Sequence, residues 1–276
     1  MAVSTEQQIF KKGSKTYYNS SFFFPKNIRE DIYRLYSFVR VVDNFVDEEP
    51  YRPDLLKDIS LAYKNKEGSN LDKSNSKILE NILYLEKKYK FDKKWIPAFL
   101  TSMEMDAQGY KYKTMKETLK YIYGSAEVIG LMMSTILGVK DKKGLEAAKL
   151  QGRAMQYINF IRDIDEDIKL GRCYFPSEER KKYNLTLWDK KIVKNKYFNQ
   201  FVLDQLRLYG TWQKEAQNGW AKIPFRSRIA VITASNMYNW TASQIAKDPR
   251  IVFQKKVKPT KLRVLYEGIK VAITGH

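Results

Sequence analysis

Two acidic motifs, more than a hundred residues apart, contain the side chains whose spacing could do chemistry. The first pairs Asp43 with Asp47, and the second pairs Asp163 with Asp167. Residues four apart lie on one face of a helix, where two like charges repel each other and cost about 0.3 kcal/mol. Hard divalent cations prefer oxygen ligands and would neutralise such a pair while bridging to a diphosphate. The spacing therefore predicts metal-assisted chemistry on a diphosphate.

The neighbours of the first motif indicate the direction of its carboxylates. Asp43 continues the stripe of Tyr36 and Val39 on the inward side of its helix. An alternative for a lone pair of this spacing is a solvated helix end, at which Asp43 pairs with Arg40 one turn earlier. The first motif alone leaves both interpretations open.

The second motif favours a cavity, because polar residues extend it backwards at helical spacing. The resulting stripe consists of Gln156, Asn159, Asp163 and Asp167. Ile158, Ile161 and Ile164 lie on the other side and can pack. A buried polar stripe is costly unless its groups find partners, so this one is predicted to line a cavity. Arg172 would supply donors nearby, and its planar guanidinium suits phosphate oxygens.

The elements that must position these stripes are helices. Apolar periodicity after Pro25 predicts a helix that ends near Glu49, before Pro50. Periodicity predicts eight more helices, near residues 53–65, 74–89, 93–109, 115–139, 143–169, 197–217, 226–247 and 260–273. Polar segments at 64–76 and 180–196 are predicted surface loops. No repeat or long linker interrupts the 276 residues, so the prediction is one all-α domain.

Composition limits the class of function. The net charge of +19 indicates an anionic partner, such as nucleic acid, a phosphorylated substrate or an anionic membrane surface. Cys173 is the only cysteine, which excludes an intrachain disulfide and favours a reducing compartment. The only histidine is His276, which excludes an internal Ser-His-Asp triad and a His-rich zinc site. The apolar stretch 128–139 is shorter than the roughly 20 residues of a membrane span, so we expect a cytoplasmic or peripheral protein.

The motifs and their surroundings resemble the signatures of the squalene/phytoene synthase family. Residues 36–47 are similar to its first signature, and residues 159–167 followed by 171–176 are similar to its second. Residues 14–17 resemble an N-terminal Ser-Lys-Ser/Thr-Phe element, with Tyr17 in place of Phe. Residues 103–106, 121–123 and 130–132 resemble the central helices, so the likeness covers about residues 14 to 262.

This resemblance implies a single isoprenoid synthase domain over residues 1–276, built as a helical bundle around a central cavity, with residues 1–13 loosely ordered. It implies that Asp43, Asp47, Asp163 and Asp167 hold Mg²⁺, or Mn²⁺ in its place. Tyr123 and Tyr238 would lie near the reacting carbons. The residues implied in binding the substrate diphosphates are Ser14, Tyr36, Arg40, Gln156, Asn159, Arg162, Arg172, Tyr174 and Arg250.

The implied reaction joins two isoprenyl diphosphates head to head through a cyclopropyl diphosphate intermediate, and the released diphosphate serves as a base. Two geranylgeranyl diphosphates would give phytoene without NADPH. The alternative is two farnesyl diphosphates, which give dehydrosqualene, or squalene with a hydride donor. Ser21 lies one turn after Tyr17 and, if both face the tail pocket, leaves room for the longer chain. We therefore favour phytoene, a lipid product.

Other interpretations remain open at this stage. A terpene cyclase would share the helices and the metal carboxylates, but the chain lacks an Asp-Asp-x-x-Asp run. A basic RNA- or membrane-binding protein would explain the charge but not the acidic stripes, which repel phosphate, so we expect no nucleic acid partner. Two explanations of the net charge fit equally well. One is peripheral contact with an anionic membrane, and the other is a Lys-rich composition that has no function. Glu127 departs from the family pattern of a small residue and needs a buried partner, such as a nearby arginine.

Overall fold

A computed structural model of the chain describes residues 5–13 and 15–275, with the backbone alone at 15–17. Fourteen α-helices and no strand occur in these residues. The helices of the first half are α1 (Thr5–Gly13), α2 (Lys15–Ser21), α3 (Lys26–Asp47), α4 (Pro53–Asn65), α5 (Lys73–Tyr89), α6 (Trp95–Ala107) and α7 (Met115–Ile122). Those of the second half are α8 (Val128–Ile136), α9 (Lys142–Arg162), α10 (Ile164–Lys169), α11 (Ser177–Lys181), α12 (Phe198–Gln217), α13 (Phe225–Lys247) and α14 (Lys261–Thr274).

Several helix ends follow directly from local sequence. Pro25 precedes α3 with φ −54°, which suits a helix start, and Pro50 follows shortly after its end. Thr114 and Glu117 form a reciprocal capping box at the start of α7. The Asp72 side chain accepts two backbone N–H bonds at the start of α5. These caps explain why the boundaries predicted from periodicity lie within a few residues of those in the structure.

The core consists of two apolar clusters on either side of the chain's centre. One is formed by helices α3 to α6 with α8, around Phe38 and Phe99. The other is formed by α7, α9, α12 and α13, around Tyr157 and Phe201. Helix α9 packs most extensively against α12 and also lies against α8. The second acidic motif therefore emerges from the most firmly packed helix of the molecule.

Close backbone contacts between helices depend on glycine. A Cβ atom on Gly130 would lie 2.5 Å from the carbonyl oxygen of Ala148, and one on Gly152 would lie 2.5 Å from that of Ala126. A side chain at either position would therefore force neighbouring helices apart, because the clashing atoms belong to the backbone. Between α7 and α8, residues Tyr123–Glu127 form a π-helical turn that packs against α6 and α9. Such turns are found frequently at functional sites, and this one begins two residues after Tyr121.

The structure corrects four sequence predictions about elements. Residues 5–13 form α1 rather than a loose segment, because Phe10 is buried against the rings of Tyr33 and Tyr36. The predicted helix 115–139 is divided by the π-helical turn, and 143–169 is divided at Asp163. The segments predicted as loops, 64–76 and 180–196, contain helix ends and a 3₁₀ turn, Lys190–Lys194. Within the described ranges, every helix falls short of the length and apolarity that crossing a membrane requires.

Candidate active site

A central cavity of about 800 Å³ lies between the two core clusters. Its lining is apolar at one end, where Phe24, Ile32 and Leu137 contribute. At the other end, helices α3, α9 and α13 supply its polar lining, namely Tyr36, Arg40, Asp43, Gln156, Asn159, Arg162 and Tyr238. The cavity therefore joins a charged pole to an apolar interior, as an amphipathic ligand requires.

The first acidic motif lies at the charged pole and is bound to two arginines. Arg40 donates to Asp43 at 2.9 Å and to Glu48 at 2.9 Å, so the intrahelical pair considered above does form. Arg172 donates to the Asp47 carboxylate and, at 2.6 Å, to the carbonyl oxygen of Val46. Since Arg172 follows the second motif in the chain, this contact holds the two motifs together.

The second motif turns at its first aspartate. Asp163 has φ −99° and ψ 16°, so it ends α9 and precedes α10. Arg162 donates to both of its carboxylate oxygens, at 2.8 and 2.5 Å. Lys256, from the segment before α14, lies 3.2 Å from Asp163 and also pairs with Glu166. Three chain segments therefore converge on this carboxylate.

The carboxylates of the pole differ in their electrostatic balance. Burial, together with the neighbouring Asp47, raises the pKa of Asp43 to about 8, against the lowering effect of Arg40. Burial and the adjacent Asp163 raise the pKa of Asp167 well above its ordinary value. Burial also acts to raise the pKa of Asp163, but its ion pair with Arg162 outweighs this and leaves the pKa lowered. The four motif carboxylates thus gather at one pole, where burial and neighbouring carboxylates disfavour the charged form of Asp43 and Asp167.

A fifth carboxylate, Asp106 on α6, lies behind this pole. It accepts hydrogen bonds from the hydroxyls of Tyr121, at 2.6 Å, and Tyr174, at 2.8 Å. Burial raises its pKa to about 6, although these donors and the nearby Arg172 act to lower it. The Tyr174 ring stacks on Phe160 of α9 at 4.3 Å. Asp106 therefore orients two tyrosines.

A buried oxygen without a partner marks the same wall of the cavity. Asn159 Oδ1 is buried and, among the described residues, has no hydrogen-bond donor. It lies one helical turn before Asp163, on the stripe predicted to line a cavity. A buried polar atom of this kind is costly unless a ligand or cation completes it. The stripe prediction is confirmed for Gln156 and Asn159, since both line the cavity.

The match to a family model decides the relationship of this chain. Residues 10–263 match the model described as squalene/phytoene synthase. The chain belongs to the squalene/phytoene synthase family. It is 28% identical to a 15-cis-phytoene synthase of Pantoea ananas, over 96% of this chain and 90% of that protein. It is 24% identical to a 15-cis-phytoene synthase of a Paracoccus species, over 94% and 87%.

The fold of this family member also matches solved structures. A dehydrosqualene synthase in complex with a ligand superposes with a TM-score of 0.77, at 21% identity, covering 96% of this chain and 93% of that one. The family match and the helical fold confirm the resemblance that the motifs indicated.

The donor set of the synthase suits a hard divalent cation. Its oxygen donors, from Asp43, Asp47, Asp163, Asp167 and Asn159, are what Mg²⁺ prefers in proteins. A divalent cation would also relieve the repulsion between neighbouring carboxylates, which acts to raise the pKa of Asp43 and of Asp167. Within residues 5–13 and 15–275, however, no three Asp, Glu, His or Cys side chains lie close enough together to hold a metal ion. Instead, arginines lie between the carboxylates, so the metal role of the four aspartates stays a prediction.

Some predicted residues lie away from the cavity. Tyr123 packs against the first core cluster, whereas Tyr121 lines the cavity, because two positions along a helix point to nearly opposite sides. Arg250 is exposed on the 3₁₀ turn Pro249–Phe253. Its backbone N–H donates a hydrogen bond to the Asp248 side chain at 3.1 Å. Ser14 lies outside the described residues.

Ser21 does not face the cavity, so the expectation that it makes room for a longer isoprenoid tail is wrong. Its hydroxyl donates to the carbonyl oxygen of Tyr18 at 2.7 Å and lies 3.4 Å from the hydroxyl of Tyr33. Ser21 is therefore buried between helices and does not line the cavity, whereas its neighbour Ser20 does.

Two lysines were missed from sequence. Lys256 and Lys258 belong to a basic run that is indistinguishable from a solvated surface segment in the sequence alone. In the structure, Lys258 lines the cavity beside Arg162. Desolvation there lowers the pKa of Lys258, and its cationic neighbours Lys256 and Arg162 lower it further. Crowded cations favour an anion between them, so these lysines complete the charged pole where Arg250 was expected.

The departure at Glu127 is resolved by an arginine, as predicted. Glu127 is buried in the π-helical turn, and Arg153 of α9 donates to it at 2.7 Å. The Arg153 guanidinium also lies over the Trp212 ring, 5.4 Å from its centroid, which is close enough for a cation–π contact. This pair joins the turn to α9 without entering the acidic pole.

Proposed function

We propose that this protein condenses two molecules of geranylgeranyl diphosphate head to head into phytoene. As a member of the squalene/phytoene synthase family, the chain is a prenyltransferase. The observation that carries the proposal is a cavity of about 800 Å³ that joins a charged pole to an apolar interior. The pole has both acidic and cationic side chains. A diphosphate fits the pole, and isoprenoid tails fit the interior.

At the pole, the cations would bind the diphosphates. Arg162 and Lys258 line the cavity directly, and Arg40 faces them from α3. Each arginine offers several N–H donors in a planar fork, which suits phosphate oxygens. When diphosphate arrives, these groups can exchange a carboxylate partner for a phosphate oxygen. That exchange frees Asp43 and Asp163 for other partners.

The freed carboxylates are the residues that would hold Mg²⁺. Asp43 and Asp47 belong to α3, Asp163 lies between α9 and α10, and Asp167 belongs to α10. A bound Mg²⁺ would supply Lewis-acid stabilisation of the departing diphosphate. The protein's own part is to hold the leaving group beside Arg162 and to keep negative charge close to it.

The lining beyond the pole suits a carbocation. Tyr121, Phe99 and Tyr238 present aromatic rings to the cavity, and ring faces attract cations. The surrounding apolar residues exclude water, which would otherwise quench the cation. In the proposed reaction, the cation attacks the second substrate, and proton loss gives a cyclopropyl diphosphate. A second ionisation and rearrangement then join the two C1 carbons, and loss of a second proton gives neutral phytoene. The released diphosphate serves as the base, since no histidine lies in the described residues.

The cavity follows α9 far enough for a long tail. Its lining on this helix extends from Gly144 to Arg162, about 27 Å at 1.5 Å per residue. One lipid tail spans about 15 Å, half of the hydrocarbon core of a bilayer. Small side chains such as Ala148 and Ser134 line the far end and leave it open. The length along α9 therefore leaves room for the C20 tail that the proposal requires.

The test is to incubate the purified protein with Mg²⁺ and either geranylgeranyl or farnesyl diphosphate, without NADPH, and to identify the hydrocarbon by mass spectrometry. A C40 product from the C20 substrate is expected. A C30 product alone would move the assignment to dehydrosqualene formation, and a product with the carbon count of one substrate would indicate a cyclase.

A variant sharpens the assignment of the tail pocket. Ser134→Phe fills the far end of the cavity, so we expect it to lose C40 formation by about tenfold or more while retaining turnover of the shorter substrate. Ser134→Ala is the matched control, because it leaves the space open. Equal loss of both substrates with Ser134→Phe would show that the tail does not reach this position.

A further inference from the structure

Helix α14 has two apolar faces, although only one is packed. Val264, Gly268 and Val271 are buried against α2 and α13. The opposite face carries five large apolar side chains, each 50% to 80% exposed, namely Leu262, Leu265, Tyr266, Ile269 and Ile273.

The five exposed side chains form one continuous stripe. Their spacing of three or four residues places them within about 100° of one another around the helix axis. Isolated exposed apolar residues are ordinary, but a continuous apolar stripe on a surface indicates contact with another apolar phase. We call these five residues the outer stripe.

Positive charge borders the outer stripe. Lys261 lies on one side of it, and Arg263 and Lys270 lie on the other. The Arg263 guanidinium is held 5.0 Å from the Trp240 ring centroid. The one acidic residue of α14, Glu267, faces inward, where it accepts a hydrogen bond from Asn236 and lies 3.5 Å from Lys270. An apolar stripe with cationic borders is typical of helices that lie in the interface of anionic membranes.

The start of α14 is also part of the cavity wall. Lys258, Lys261 and Val264 line the cavity, as does Lys12 of α1. The helix that carries the outer stripe therefore also contributes to the cavity lining. A surface that binds anionic lipid at this place would bring the cavity opening to the bilayer.

We infer that α14 is a docking helix that inserts its outer stripe into the interface of an anionic lipid bilayer, with Lys261, Arg263 and Lys270 at the headgroups. The chain's net charge of +19 complements such a surface. The benefit of this placement rests on the proposed function, since a hydrocarbon product would leave the cavity directly into lipid. The docking itself is a property of the surface and does not depend on turnover.

The experiment is flotation of the full chain with vesicles of phosphatidylcholine, with and without phosphatidylglycerol, in the absence of substrate. We expect binding to the anionic vesicles that weakens with added salt. Ile269→Glu combined with Ile273→Glu should reduce the partition coefficient by about tenfold or more. Arg263→Gln combined with Lys270→Gln should reduce it by about fivefold per charge removed.

The controls separate this inference from its alternatives. Leu61→Glu changes an equally exposed leucine on α4 and should leave flotation unchanged. Circular dichroism and thermal melts show whether each variant folds, and turnover in detergent tests the proposed function separately. Flotation that is equal for wild type and the Ile269→Glu/Ile273→Glu variant would overturn the inference. So would a dimer, seen by light scattering without lipid, that this variant converts to a monomer, because the stripe would then bind a second copy.

Discussion

Asp31 and Asp43 lie on the same helix, α3, yet their surroundings are opposite, since Asp31 is buried and the Asp43 side chain is 29% exposed at the cavity. Asp31 accepts hydrogen bonds from Arg34 at 2.7 Å, Lys88 at 2.6 Å and Tyr89 at 2.6 Å. Burial acts to raise the pKa of Asp31, but these donors outweigh it and leave the pKa lowered. Asp43 shares Arg40 with Glu48 and has its pKa raised to about 8.

The difference between these two carboxylates distinguishes structural charge from functional charge. At Asp31, donors from α3 and α5 satisfy both oxygens, so the charge stabilises the fold. At Asp43, burial and the adjacent Asp47 disfavour the charged form, so folding alone gives no reason to keep it. Such groups are candidates for ligand or metal binding, because perturbed carboxylates collect at functional sites.

The largest expected effect is that of Asp43→Asn on turnover. Since loss of an outer partner of a metal ligand costs about 10- to 100-fold, loss of a ligand itself should reduce activity by more than about 100-fold. The measurement is the rate of diphosphate release with saturating Mg²⁺. In the metal-free protein, the same change should not lower the melting temperature at pH 7. Full turnover by Asp43→Asn would remove Asp43 from the metal site.

The pH dependence of this variant has a defined sign. Because the pKa of Asp43 is higher in the folded state, at about 8, than its ordinary value of 3.8, the folded protein binds more protons between these values. Stability of the metal-free protein should therefore fall as the pH rises from about 4 to 8. Asp43→Asn should weaken this fall, and chemical denaturation at several pH values would show it.

The complementary change, Asp31→Asn, should lower stability and spare turnover. Removing one partner of a buried ion pair costs about 3 kcal/mol, which denaturant titration can measure at pH 7. Since the pKa of Asp31 is lowered in the folded state, its contribution is present above its ordinary value of 3.8 and is lost as the pH falls through the lowered pKa. The wild type and the variant should therefore approach each other in acid. If Asp31→Asn left the free energy of unfolding at pH 7 unchanged, Asp31 would not stabilise the fold and its contrast with Asp43 would fail.

Glu127→Gln should lower stability by less than Asp31→Asn does, and it should leave turnover almost unchanged. The amide loses the charge that meets Arg153 but keeps an oxygen in its place, so we expect about 2 kcal/mol of destabilisation. Turnover of the folded variant should stay within about twofold of the wild type, because the pair lies outside the acidic pole. A selective loss of turnover would instead assign Glu127 to the functional group of carboxylates.

The smallest expected effect is that of Tyr174→Phe, at about 1 kcal/mol for one lost hydrogen bond. The ring remains stacked on Phe160, and Asp106 keeps the hydroxyl of Tyr121. Because the lost donor lowers the pKa of Asp106, that pKa should rise above about 6 in the variant. Titration of the carboxyl carbon by NMR would measure the rise, and an unchanged pKa would show that Tyr174 does not bind it in solution.

Much of the fold was predictable because its cause is local. The periodicity of α3, α5, α9 and α12 appears in the sequence, and Pro25 and Pro50 mark the limits of α3. The π-helical turn after Tyr121 was not predictable, because its cause is contact with α6 and α9. The exchange of Tyr123 for Tyr121 in the cavity wall has a different cause, since positions two apart on a helix point to nearly opposite sides.

The sequence by itself determined the two acidic motifs, the helices that carry them and the family to which they belong, because helical spacing fixes which side chains share a face. Only the tertiary structure decided that Lys256 and Lys258, rather than Arg250, join the pole. It also decided that donors outweigh burial at Asp31, whereas burial and Asp47 outweigh Arg40 at Asp43. Partners from distant helices set those outcomes, and the balance of burial against neighbouring charge is a property of three-dimensional proximity.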